Sequence, residues 1–362
     1  MIRTGIIILE RRIILNLKKH IFPALLFFLL VFNLCTFTAF AASTSRPATP
    51  KYFQYTALGD KAVTLKWQIV EESDGYEIAR YDSSIKNYRL IRTIWYKTSS
   101  KVQLTGLIPG KSYKFRIRSV KKLKNGQKIY SSYSAPVTIT AVEFPDEVKA
   151  IRDPYYTVKV KTAVTVKNKT KNTTQKLKKG TQLTVTSKTG TTVTGYLKNG
   201  NVVTLSRSAL TYTGLDSSTS NDYSTAVKEK FVNLKGLQSS TDWLIWVSEY
   251  KLRVNIFKGS RGNWKLQRSA ICASGKWSTR TASGIRKILQ KIYYGEYGAP
   301  YIFFSPGTAN GGTAESPMGC AFHNLVDKNY GVSVSHGCVR LKPDDLYYIY
   351  NNCPVGTTVY VY

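Results

Sequence analysis

Residues 335–341 read SHGCVRL, and the second of them is one of only three histidines in a chain of 362 residues. The glycine and cysteine that follow leave three readings for Cys338: a nucleophile, a metal ligand or a small buried side chain. The neighbourhood bears on all three. Beyond residue 41 the only histidines are His323 and His336, and Cys320 and Cys338 bracket them. Such rare residues gathered so tightly argue for shared chemistry.

A nucleophilic thiolate needs a base that removes its proton and, once charged, steadies the anion. His336 is two residues from Cys338 on one extended segment, where alternate side chains share a face. His323 is farther along the chain and freer to approach the sulfur end-on. Gly337 lets the backbone approach a substrate closely, and the amides of Gly337 and Cys338 are placed to meet a carbonyl oxygen that gains charge. Together these residues read as a cysteine–histidine acyl transferase. Zinc is the competing reading, with Cys320-x-x-His323 and His336-x-Cys338 as its ligands, although one residue between two ligands is tighter than the usual spacing. Inert buried thiols are the third.

Around this segment, residues 242–362 form one region. LIWVSEYKLRVNIFKG (244–259) reads as a hairpin and the chain closes on the strand TTVYVY. PDDLYYIYNNC (343–353) reads as a helix: Leu346, Ile349, Tyr350 and Cys353 recur at helical spacing, Asp344 and Asp345 sit in its first turn, and Pro354 stops it. Cys353 is then a small core residue.

Farther upstream the composition changes twice. Residues 47–143 alternate apolar and polar in VTLKW (63–67), YEIAR (76–80) and YKFRIRSV (113–120), with turns at Asp74-Gly75, Pro109-Gly110 and Asn125-Gly126. That pattern predicts an antiparallel sandwich. Residues 154–214 are rich in Thr, Lys and Val, and the alternation there predicts a small barrel of about five strands. A polar linker and a helix near Ser224–Phe231 fill residues 215–241. The fold class is therefore mainly β and multidomain.

The first residues differ in kind. Arg11, Arg12, Lys18 and Lys19 precede an apolar run over 21–40, then Ala41, which is the pattern of an export signal cleaved after Ala41. The run is about 20 residues, enough to span a bilayer, so an uncleaved membrane anchor is the alternative. Either way the rest of the chain is expected outside the cytoplasm, at a bacterial wall or the outer face of the membrane. The formal net charge is +32, and residues 1–41 carry four net positive charges, which leaves +28. Such an excess favours anionic partners. For an exported chain these are wall teichoic acids and peptidoglycan carboxylates rather than nucleic acid. The four cysteines beyond residue 41 are too sparse for a disulfide framework.

Two resemblances follow from these segments. Residues 47–143 resemble a fibronectin type III domain, with Trp67 in an early strand, LTGLIPG (104–110) before YKFRIRSV, and SSYSAPVTI (131–139) at the end; the 154–214 segment is similar to the Src-homology-type barrels of wall enzymes. Residues 242–362 resemble the YkuD-type catalytic domain of the L,D-transpeptidases, whose motif of an upstream His, then Ser/Thr-x-Gly-Cys, an aliphatic residue and Arg or Asn is met by His323, Ser335, Gly337, Cys338, Val339 and Arg340, with His336 in the variable position. SGKWSTRTASGIRKI (274–288) resembles the glycine and threonine segment of that family, but with TRTASG where Thr-Pro-Thr/Asn-Gly is usual, and Asn324 follows the histidine in place of Gly.

The resemblance implies a peptidoglycan crosslinking enzyme. Cys338 would attack the third residue of a donor tetrapeptide stem, release D-Ala and form a thioester, which an amine of a neighbouring stem resolves. His323 would be general base and acid, its ring held by a backbone carbonyl or hydroxyl. The amides of Gly337 and Cys338 would line the oxyanion hole, with Tyr301 as an added hydroxyl donor. Ser335 and His336 would shape the loop, and Arg340 would hold it, meet a substrate carboxylate, or pair with Asp344 or Asp345. No cofactor or metal is implied. Hydrolysis of the same thioester would make an L,D-carboxypeptidase, and a wall-binding protein without activity is the reading from another class. The two N-terminal domains are expected to form an extended basic stalk.

Overall fold

The computed structural model describes residues 45–294, 299–305, 319–324 and 329–362. The apolar run 21–40 and the cleavage point after Ala41 lie outside the described residues.

The first domain is a sandwich. Strands Gln54–Gly59, Ala62–Lys66 and Lys101–Leu104 make one sheet; Asn87–Ile94, Gly75–Asp82, Ser112–Lys122, Lys128–Tyr130 and Val137–Thr140 make the other. Alternation decides which side chains meet between the sheets. Along Ser112–Lys122, Tyr113, Phe115 and Ile117 point inward, where they join Trp67, Tyr76 and Ile78 in the core, while Lys114, Arg116 and Arg118 point outward.

The second domain is one antiparallel sheet of seven strands, not about five, between Tyr156 and Leu215. It curls around Val158, Val166, Leu183, Val193 and Val203. The two additional strands, Val164–Asn168 and Thr173–Leu177, pair as a hairpin. Val164 and Val166 mark the first of them by alternation, whereas TTQKL in the second has only Leu177 to mark it.

The third region is built on a five-stranded sheet in the order Lys265–Ile271, Arg253–Lys258, Trp243–Ser248, Thr358–Val361, Gly284–Lys287. Trp243–Ser248 and Arg253–Lys258 form the expected hairpin, and the last strand of the chain runs parallel to Trp243–Ser248. All six residues of Trp243–Ser248 are buried. Trp243, Ile245 and Val247 face a core shared with helix Pro343–Asn352, whose Leu346 and Ile349 are fully buried. Leu244 and Trp246 face a second core, closed by helix Thr225–Leu234 through Phe231 and Val232. That helix starts at Ser224, whose hydroxyl accepts the Val227 amide, and it belongs to the packing of this region, not to a linker.

The expected extended stalk is replaced by docking. Phe144, Val148 and Ile151, which follow the sandwich, complete the second core, and Ala57 and Val142 pack against it. The Leu58 amide donates to the Lys235 carbonyl at 2.8 Å, and Arg261 lies 3.9 Å over the Tyr55 ring. On the seven-stranded domain, Tyr212 stacks on Trp277 with centroids 5.6 Å apart. Arg152 and Asp216 pair across the two ends of that domain at 2.6 Å.

Candidate active site

Two short strands place the chemistry. Ala321–His323 and Val339–Arg340 run parallel, with Phe322 opposite Val339 and His323 opposite Arg340. Phe322 and Val339 point into the core. Period-two alternation then puts His323 and Arg340 on the other face, and Cys338, two residues before Arg340, shares it. The register sets His323 beside Arg340, two positions along the chain from Cys338. His323 is buried and Cys338 half-buried.

Ser335 organises the loop before the cysteine. Its hydroxyl accepts the Gly337 amide at 3.1 Å and donates to the Cys338 carbonyl at 2.6 Å. Its own carbonyl accepts from the Lys276 amide at 3.0 Å and from the Thr279 hydroxyl at 2.9 Å. Gly337 takes φ +124°, a conformation that needs glycine. The Gly337 amide, expected in the oxyanion hole, here donates to the Ser335 hydroxyl. His336 is exposed, with its Nε2 3.5 Å from Lys276 Nζ.

The imidazole of His323 is held on both sides. Nδ1 lies 2.6 Å from the Asn324 carbonyl oxygen. A carbonyl only accepts, so Nδ1 carries the proton and Nε2 of the neutral ring is the base. Asn324 is fixed in turn by the Tyr330 hydroxyl, which donates to its Oδ1 at 2.7 Å. The Tyr301 ring stacks on that of His323, with centroids 4.9 Å apart and planes 6° from parallel. A backbone carbonyl or hydroxyl was expected to hold this ring, but which residue supplies it has no sequence signature, and Tyr330 was not singled out because Tyr is abundant here.

Burial pushes the Cys338 thiol up; the Ala321 amide hydrogen-bonded to it and the charge of Arg340 pull it partly back. Arg340 is therefore an electrostatic neighbour of the sulfur. Asp345, one of the two carboxylates expected to pair with Arg340, binds Arg268 at 2.6 Å.

The proposed zinc ligands are not gathered. Cys320 lies in the core with Phe322, on the opposite face from Cys338, and His336 is turned to solvent beside a lysine. Among the described residues no group of three His, Cys, Asp or Glu side chains is arranged to hold a metal. The four described cysteines are free thiols. Burial raises Cys320 to about 11 and Cys353 to about 12, and raises Cys272 as well, as expected of inert core residues.

Residues 244–361 match the family model of the L,D-transpeptidase catalytic domain, YkuD, and residues 48–140 match that of the fibronectin type III domain. The chain thus carries an L,D-transpeptidase catalytic domain preceded by a fibronectin type III domain. No curated protein matches it at a significant level. Among solved structures it is similar to a fused Zn-dependent amidase/peptidase/peptidoglycan-binding protein from Clostridium acetobutylicum (25% identity, 38% of this chain and 59% of that one, TM-score 0.30). It is also similar to an L,D-transpeptidase from Mycobacterium smegmatis (11% identity, 88% of this chain and 96% of that one, TM-score 0.27). A third is an Fn3-like protein from Clostridium thermocellum (23% identity, 28% of this chain and 99% of that one, TM-score 0.21).

Proposed function

We propose that this chain is an exported peptidoglycan L,D-transpeptidase with Cys338 as nucleophile and His323 as general base and acid. The observation that carries this reading is the parallel strand pair that sets His323 opposite Arg340, two residues after Cys338, with the imidazole Nδ1 bound to the Asn324 carbonyl. Because burial raises the thiol, Cys338 rests protonated, and its proton moves as the sulfur attacks.

In the first half-reaction, Nε2 of His323 takes the Cys338 proton and the sulfur adds to the carbonyl carbon of the third residue of a tetrapeptide stem. The Cys338 amide supports the oxyanion. Collapse breaks the bond to the terminal D-Ala, whose amine takes the proton from His323, and leaves a thioester. In the second, a stem amine adds to the thioester, loses a proton to His323, and expels the sulfur, which recovers its proton. The product is a 3-3 type crosslink. Tyr301 supports the imidazolium through its ring face, and Arg340 favours the departing thiolate.

Intact-protein mass spectrometry of wild type and Cys338→Ala, each incubated with a disaccharide tetrapeptide, tests the proposal. Wild type is expected to carry an acyl adduct, release D-Ala and yield a crosslinked dimer. A tripeptide without dimer would make it an L,D-carboxypeptidase. No adduct on folded wild type, or the same turnover by Cys338→Ala, would sink the assignment.

A further inference from the structure

Strand Ser112–Lys122 presents Lys114, Arg116, Arg118 and Lys122 on the outer face of the larger sandwich sheet, away from the Gln54–Gly59 strand that meets the catalytic region. Aromatic rings separate these cations. The Arg116 guanidinium lies between Tyr88 and Tyr133, 4.0 and 3.8 Å from their centroids. Arg118 lies 3.8 Å over Tyr130, and Lys122 and Lys128 share Trp95 at 4.1 and 5.0 Å.

The nearby acids are committed elsewhere. Glu77 binds Arg118 at 2.7 Å, Asp82 binds Arg89 at 2.7 Å, and Asp74 accepts the Lys122 backbone amide. Among the described residues no carboxylate lies within ion-pair distance of Lys114, Arg116, Lys122 or Lys128, and the buried Nε of Arg116 has no partner. Four cations on one sheet face are thus uncompensated.

Their arrangement selects an anion. The rings are covered by cations, so bare faces for sugars or nucleobases are scarce. What the surface offers is a guanidinium held flat, with N–H groups at its edge, flanked by ammonium heads; that geometry suits phosphate oxygens. The two-residue repeat of a strand is about 6.8 Å, close to the spacing of anions along an extended polyol phosphate. We infer that this face binds a linear polyol phosphate polymer lying along Ser112–Lys122, with Arg116 as its central contact. The inference does not depend on Cys338.

The test is binding of poly(glycerol phosphate) to the exported chain (residues 42–362) at several salt concentrations, measured by calorimetry. Lys114→Gln/Arg116→Gln/Lys122→Gln is compared with Lys169→Gln/Lys171→Gln/Lys178→Gln, which removes the same charge from the seven-stranded domain. The sandwich variant should lose at least about tenfold in affinity and flatten the dependence on log salt by about two units, while the control stays within about twofold. Arg116→Lys, which keeps the charge and loses the fork, should weaken binding several-fold with unchanged thermal melting. Equal losses in both triple variants would reduce the effect to net charge and overturn the site. So would equally tight binding of polyglutamate or single-stranded DNA of matched charge, or an Arg116→Lys variant that binds like wild type.

Discussion

At the scale of the residue, the protonation of Cys338 distinguishes this site from one with a preformed thiolate. Burial raises the thiol, and the Ala321 amide and Arg340 only partly restore it. The rate of iodoacetamide labelling at Cys338 should therefore climb through the alkaline range, with a midpoint above that of an ordinary cysteine. Arg340→Gln should move the midpoint higher, because it removes a charge that favours the anion. A midpoint below neutrality would mean an ion pair already exists with His323. Ser335 offers a second prediction. Its hydroxyl satisfies a buried amide and a carbonyl at once, so Ser335→Ala should cost on the order of 1–3 kcal/mol in denaturant unfolding. The turnover rate should fall more than substrate affinity, since the loop that presents Cys338 loses its brace; unchanged kcat would contradict that role.

At the scale of the element, the segment Ser274–Thr281 supports the cysteine loop from below. Gly275 packs so closely that a β-carbon there would meet the Thr279 carbonyl and the Thr281 amide. Backbone atoms cannot turn aside as a side-chain tip does, so Gly275→Ala should displace Lys276 and Thr279 from the Ser335 carbonyl. The expected result is a soluble protein with a lowered melting temperature and most of its acylation lost; wild-type acylation would show the segment to be passive. These elements were unequally legible. Cys338, His323 and Ser335 stand out because His and Cys are rare and the spacing is specific, and the Pro343–Asn352 helix shows in its acidic first turn, its Pro354 stop and its 3.6-residue period. Thr279 is hidden among many threonines, and its bond to Ser335 spans 56 positions. Trp243–Ser248 was legible as half of a hairpin, but its burial on both faces was not, because an apolar run without alternation does not say what covers each side. Thr173–Leu177, with TTQKL, is too polar to announce itself.

At the scale of the whole molecule, one lysine sits where the sandwich meets the catalytic region. Lys235 caps the C-terminal end of helix Thr225–Leu234, accepts the Leu58 amide from the sandwich, and carries its ammonium among Phe144, Phe231, Tyr360 and Tyr362, between 5.0 and 5.7 Å from each ring centroid. Burial lowers it from 10.5 to about 8, with Asp153 opposing. The sign follows from proton counts. Between about pH 8 and 10.5 the unfolded chain holds this proton and the folded chain does not, so its contribution to stability rises with pH across that window. Below pH 8 both states are protonated and the whole deficit is felt, on the order of 3 kcal/mol before the rings return part of it through cation–π attraction. Tyr360 and Tyr362 are raised by burial and act the opposite way in alkali, because the unfolded chain loses those protons first. Comparing Lys235→Met with wild type removes their effect to first order. The variant should melt several degrees higher at pH 7, and its advantage should shrink steadily toward pH 10.5. An advantage independent of pH would mean Lys235 titrates normally; a less stable variant at pH 7 would mean that Asp153 and the four rings outweigh desolvation, making the charge itself a clasp between the sandwich and the catalytic region.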